Sequence, residues 1–285
     1  MAFTKVTREK SKLRLALAAP SGAGKTLSAL YIAYGITEDW SKIALIDTEH
    51  GRAKFYANRS DLETGEFLYQ EMIAPFTPKK YIDMVAEGCA AVGSDGVIIV
   101  DSFSHAWDNE GGVLDIKSQI AKKYGKNEYS AWDEAGKIQN NLVNTILSTK
   151  CHTIVTLRTK MAYTMQENDK GKMEPVKIGL APVQRENTEY EFDIVLNIAR
   201  NHIATVSKDT TFLGDWSGVI TPELGKSLKE WLDNGIEPEK CEVCQKRILP
   251  TRDKTIQQII EGSIEHYGKK MCWSCVMDEY RKTKQ

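Results

Sequence analysis

Apolar and polar positions along the chain follow two alternating rhythms. Residues 12–18 (KLRLALA) alternate charged and apolar side chains and then become wholly apolar, as a strand entering a core does. After a glycine-rich turn, Leu27, Leu30, Tyr31 and Tyr34 share one helical face, with Gly35 as the expected stop. Residues 42–47 (KIALID), 97–101 (VIIVD) and 153–157 (TIVTL) read as three further strands. Helices are expected over residues 79–92 and 130–148, and residues 192–198 and 202–207 pattern as a late hairpin. Thr221-Pro222-Glu223 marks a helix start: a capping hydroxyl, proline at the first position and an acid near the positive end of the dipole. Leu224, Leu228, Trp231 and Leu232 line that helix, and Gly235 ends it. Strands alternating with helices predict an α/β fold with a mostly parallel central sheet covered on both faces.

At 285 residues the chain holds one large domain or two. An apolar fraction of 41% is enough for a real core and excludes wholesale disorder. Thirty-eight Lys and Arg against 39 Asp and Glu give a net charge of −1, so any anion must be bound by a local patch. No run approaches the length of a membrane span, and residues 1–14 lack a leader's apolar core. A soluble, cytoplasmic protein with no membrane partner is therefore expected. Residues 236–240 (IEPEK) form a polar, proline-containing linker, which divides the chain into a core of residues 1–235 and a small domain of residues 241–285.

That small domain carries the clearest metal signal. Cys89 and Cys151 stand alone and read as small buried hydrophobes. Cys241-x2-Cys244 and Cys272-x2-Cys275 instead supply four thiolates, the shell of a closed tetrahedral Zn²⁺ site. A redox pair is the alternative, but no βαβ pattern surrounds these cysteines. So small a piece needs such a staple to fold.

Ala19-Pro20-Ser21-Gly22-Ala23-Gly24-Lys25-Thr26 matches the phosphate-binding loop, with alanine for the pattern's first glycine, between a strand and a helix. Pro20 to Thr26 are the expected nucleotide contacts. Gly22 and Gly24 let backbone N–H groups turn toward phosphate oxygens at the positive end of a helix. Lys25 is expected to reach the β- and γ-phosphates, and the Thr26 hydroxyl to ligate Mg²⁺. Asp101 ends an apolar strand where the second magnesium-side group, a carboxylate, belongs. Glu49, after a strand end, is placed to activate water for attack on the γ-phosphate, with Asp47 the alternative base. The chain has no Asn-Lys-x-Asp guanine signature, so ATP is the expected nucleotide.

The succession Ser-Gly-Ala-Gly-Lys-Thr, Ile-Asp-Thr-Glu-His, Val-Asp-Ser and Thr-Leu-Arg-Thr-Lys resembles the ATPase core of RecA-like recombinases. It is most similar to phage-encoded RecA-like nucleotide-binding proteins of single-strand annealing and recombination. The resemblance spans about residues 12–208. It implies a RecA-like P-loop NTPase core, Glu49 as water activator and Asp101 as metal ligand. It further implies single-stranded DNA, a homo-oligomer and single-strand-binding or other recombination proteins as partners, in a host cytoplasm. The γ-phosphate-sensing glutamine of that family is replaced here by Thr156, which reads either as a short sensor or as a buried strand threonine.

In that family the segment after the fourth strand faces DNA. Here residues 158–185 carry six basic against three acidic residues, and Arg158, Lys160, Lys170 and Lys172 are the candidate DNA contacts. Tyr163 and Met165 offer a surface for bases. The same segment also reads as a solvated hairpin with Asn168-Asp169-Lys170-Gly171 at its tip. Residues 117–126 and the basic N-terminal stretch from Lys5 to Arg14 are further basic candidates. Rival readings are a nucleotide-dependent switch, a small-molecule kinase and a non-catalytic scaffold.

Overall fold

The computed structural model describes residues 7–124, 128–167 and 173–283. Cα packing divides the chain into two units: Lys12–Trp231, and Leu232–Gln285 together with the N-terminal residues up to Ser11.

The first unit is built on a sheet whose middle is entirely parallel. Its strands are β1 (Arg14–Ala19), β2 (Ile43–Asp47), β3 (Leu68–Glu71), β4 (Val97–Asp101), β5 (His152–Glu167), β6 (Met173–Pro182), β7 (Ile194–Ile198), β8 (Ile203–Asp209) and β9 (Ser217–Val219). They are ordered β3-β2-β4-β5-β1-β7-β8-β9, with β6 paired to β5. The run from β3 to β7 is parallel, and β8, β9 and β6 join antiparallel. Every residue of β1, β2 and β4 is buried, so both faces of the sheet are covered. This is an α/β fold with a mostly parallel central sheet.

The crossovers supply the cover. They are α1 (Lys25–Thr37), α2 (Pro78–Val92), α3 (His105–Asp108), α4 (Val113–Tyr124) and α5 (Glu128–Leu147); α6 (Pro222–Asp233) follows the sheet. On one face, Ala16, Ala18, Ile46, Ile98, Val100 and Leu157 join Tyr81 and Met84 of α2 and Leu142 and Ile146 of α5. Alternate positions such as Leu15, Leu17, Leu45 and Ile99 are just as buried and point to the other face. Thr77 caps α2 by accepting from the Lys80 N–H, with Pro78 at the first position.

Three local expectations are corrected. Gly35 does not stop α1, which runs to Thr37 and ends at Glu38 in a left-handed conformation. Gly35 lies where α1 meets α6: a Cβ there would fall 2.0 Å from the Pro222 carbonyl oxygen and 2.8 Å from the Gly225 Cα. The fourth predicted strand does not end at Leu157 but continues to Glu167, and the described residues of the basic segment form an antiparallel ladder between β5 and β6. Arg14 is no surface cation. It is 9% exposed, and its guanidinium donates to the carbonyls of Leu13, Leu147, Thr149 and Cys151. Lys12, also in that basic stretch, pairs with Asp95 at 3.0 Å.

In the second unit, Ile236 donates to Arg8 and accepts from Lys10, forming an isolated parallel bridge at Glu9. Two helices follow, α7 (Ile256–Tyr267) and α8 (Trp273–Lys282). Thr255 and Gln258 cap α7 reciprocally, side chain to backbone in both directions. The core is small: Cys241, Ile248, Ile259 and Met271 are buried, with Tyr267, Trp273 and Val276 packed against them.

Candidate active site

The C-terminal ends of β1, β2, β4 and β5 open on one cavity of about 660 Å³. Nucleotide-sized ligands fit cavities of roughly this volume. β1 delivers the loop, and Ala19, its last residue, is not among the positive-φ positions, so the missing glycine is tolerated. Gly22 and Gly24 adopt φ of +80° and +89°, where a side chain would be strained. Ser21, Gly22, Gly24, Lys25 and Thr26 line the cavity; Pro20 and Ala23 sit in the loop behind. The Lys25 ammonium donates to the carbonyls of Ala19 and Pro20, 3.1 Å from each. Burial lowers its pKa, against the opposing pull of Asp101 and Glu49.

Asp101 is 2% exposed, and the Thr26 hydroxyl donates to its Oδ2 at 2.5 Å. Its Oδ1 accepts from Thr156. Burial pushes the Asp101 carboxyl above its ordinary pKa, although both hydroxyls and Lys25 favour the charged form. Hydroxyl and carboxylate side by side are two hard oxygen donors of the kind magnesium takes. Thr156 is fully buried on β5, behind Asp101, and is not among the residues lining the cavity.

Asp47 and Glu49, two residues apart, have different surroundings. Asp47 is buried and accepts from Glu49 N at 2.6 Å, Ala53 N at 3.0 Å and Tyr69 Oη at 3.3 Å. Its oxygens hold the turn after β2. Glu49 instead faces the cavity, and Arg158 grips it with two parallel bonds: Nε to Oε1 at 2.7 Å and Nη2 to Oε2 at 2.6 Å. Burial opposes ionisation of Glu49, but the bonds and charge of Arg158 prevail and hold its pKa below the usual carboxylate value. Arg158, read from sequence as a DNA contact, thus has its guanidinium in the nucleotide cavity. Behind this pair, Thr48 bonds His105 Nδ1 at 2.7 Å and receives the Ser102 N–H at 2.8 Å.

The remaining wall lay outside the sequence reading. Tyr31, Phe55, Tyr56, Val219 and Ile220 make it apolar and aromatic, while Arg52, Asn201 and His202 add polar groups. Phe55 is 71% exposed on a short 3₁₀ turn after β2, and no sequence motif marks it. Of the other expected DNA contacts, Lys160 is exposed on β5, near the exposed Met161 and Leu180. Lys170 and Lys172 lie outside the described residues, as do the side chains of Tyr163 and Met165. Lys117, in the other basic candidate, lies over the Trp132 ring at 5.1 Å.

In the second unit the four thiols of Cys241, Cys244, Cys272 and Cys275 come within 4.8 Å of one another. Cys244 and Cys272 are 3.7 Å apart, close to the ~3.8 Å edge of a tetrahedron with Zn–S bonds of about 2.3 Å. Burial alone would raise the Cys241 pKa, yet backbone hydrogen bonds from Cys244, Cys272 and Val243 bring it down to about 6. The geometry is compatible with a zinc site.

No curated protein matches the chain. Among solved structures, an ATPase domain matches at 10% identity, covering 81% of this chain and 86% of that chain, with a TM-score of 0.41. No helix among the described residues is long and apolar enough to cross a membrane. Residues 11–221 match the AAA domain family. With that match spanning most of the sheet and the phosphate loop, the chain belongs to the AAA domain family and is a P-loop NTPase.

Proposed function

We propose that this protein is a Mg²⁺-dependent ATPase of the RecA-like type that acts on single-stranded DNA in phage-type recombination or replication. The observation carrying the ATPase reading is the convergence of Lys25, Thr26, Glu49, Asp101 and Arg158 on one cavity. Lys25 and the loop N–H groups take the phosphates. Thr26 and Asp101 hold magnesium, which when bound neutralises charge on the β- and γ-phosphates. Thr156 orients Asp101 through its hydroxyl. Glu49 accepts the proton of the attacking water, a role for which Asp47, fully buried, off the cavity wall and already bonded to three donors, is poorly placed. Arg158 sets the orientation and charge of Glu49 from the root of the β5–β6 hairpin. Tyr31, Phe55 and Tyr56 offer ring faces to the adenine.

The DNA reading rests on the basic residues of segment 158–185, of which Lys160 is exposed on β5; Lys170 and Lys172 are carried from the sequence. A homo-oligomer and recombination proteins that handle single strands are the partners we propose. In the second unit, Cys241, Cys244, Cys272 and Cys275 hold a structural zinc ion, since four thiolates leave no open position for chemistry. ATP turnover measured with and without single-stranded DNA tests the whole. Stimulation by DNA supports the reading; hydrolysis without stimulation points to a nucleotide-dependent switch, and binding without hydrolysis to a scaffold.

A further inference from the structure

We propose that His202 is a positioning residue for nucleotide binding, fixing the peptide plane through which the phosphate loop presents the Gly24 N–H. The inference rests on the phosphate-loop reading and adds a residue to it. His202 sits in the tight turn between β7 and β8, where its N–H donates to the Ala199 carbonyl at 2.9 Å. It holds φ of +66°, a conformation that costs a non-glycine residue and persists where the surroundings dictate it. Its Nδ1 lies 3.1 Å from the Ala23 carbonyl oxygen. A carbonyl only accepts, so Nδ1 carries the proton.

The Ala23–Gly24 peptide is planar, with its C=O and N–H pointing in opposite directions. Holding the oxygen therefore aims the hydrogen away from the imidazole, into the turn of the loop. Gly24 shows the same contact from the other side: a Cβ there would come 3.1 Å from Nδ1, so the ring lies directly against the loop. Both residues line the cavity, although they are far apart in sequence.

The test uses two variants of the full chain and Mg²⁺ with a non-hydrolysable ATP analogue. His202→Gly removes the ring and adopts the positive φ freely. His202→Asn tolerates the same φ and keeps an N–H donor near the place of Nδ1. Kd and KM are expected to rise roughly 3- to 10-fold in His202→Gly, the loss of one hydrogen bond, with kcat changed by less than about 2-fold. His202→Asn should recover most of the loss. A wild-type Kd in His202→Gly, a loss confined to kcat, or no recovery by Asn overturns the proposal. Lys25→Ala, measured in parallel, separates the two readings. If it binds the analogue normally, the phosphate-loop assignment itself fails. If it loses binding while His202→Gly does not, only the role of His202 falls.

Discussion

Glu49 is pulled in two directions, since burial favours its neutral form and Arg158 its charged form. Glu49→Gln keeps the shape and loses the base, so ATP should bind while turnover falls by ~10²-fold or more. Asp47→Asn should do something different. It disturbs three accepted hydrogen bonds at a buried site, costing about 1–3 kcal/mol in a urea melt. Crippled turnover in Asp47→Asn, with a normal Glu49→Gln enzyme, would exchange the roles of the two acids. Arg158→Gln removes the guanidinium and leaves burial opposed only by the weaker pull of His105 and Lys25, which moves the Glu49 pKa upward. In the proposed role the carboxylate is the working form, so the acid limb of the kcat–pH profile should shift to higher pH; an unmoved limb would break the link. Lys25, Thr26, Glu49 and Asp101 were legible because each sits in a short local pattern. The pairing of Arg158 was not: its partner is 109 residues away, and only the parallel sheet brings them together.

At the level of elements, strands β1, β2 and β4 announce themselves as buried apolar runs. Leu68–Glu71 does not: it is a four-residue edge strand, mostly exposed, so burial never selected an apolar run there. Ser217–Val219 is shorter still. Gly35 shows the limit of reading punctuation. A glycine near a helix end looks like a stop, whereas here it is the contact that lets α1 approach α6. Gly35→Ala should therefore destabilise by about 1–3 kcal/mol or more, since backbone rather than a movable side chain occupies the space. Denaturant unfolding checks this, and wild-type stability in that variant would mean the helices can part without cost.

On the scale of the whole molecule, the two units differ in what holds them. Lys12–Trp231 has a sheet buried on both faces, while the small core of the other unit gathers only three buried apolar residues, Ile248, Ile259 and Met271, around its thiols. Chelating the zinc proposed at these thiols should melt α7 and α8 yet leave ATP binding by the Lys12–Trp231 unit in place. Hydrogen exchange read unit by unit, with elemental analysis for one zinc per chain, checks it; metal-free protein with protected α7 and α8 amides would refute the staple. The strand order has a further consequence, for kinetics. β1 carries the phosphate loop but lies between β5 and β7, which the chain supplies much later. The nucleotide cavity thus comes into being only when the most distant pairings have closed, and such pairings are slow. ATP should therefore leave the refolding rate unchanged and slow unfolding in proportion to its occupancy, holding shut a structure it had no part in forming.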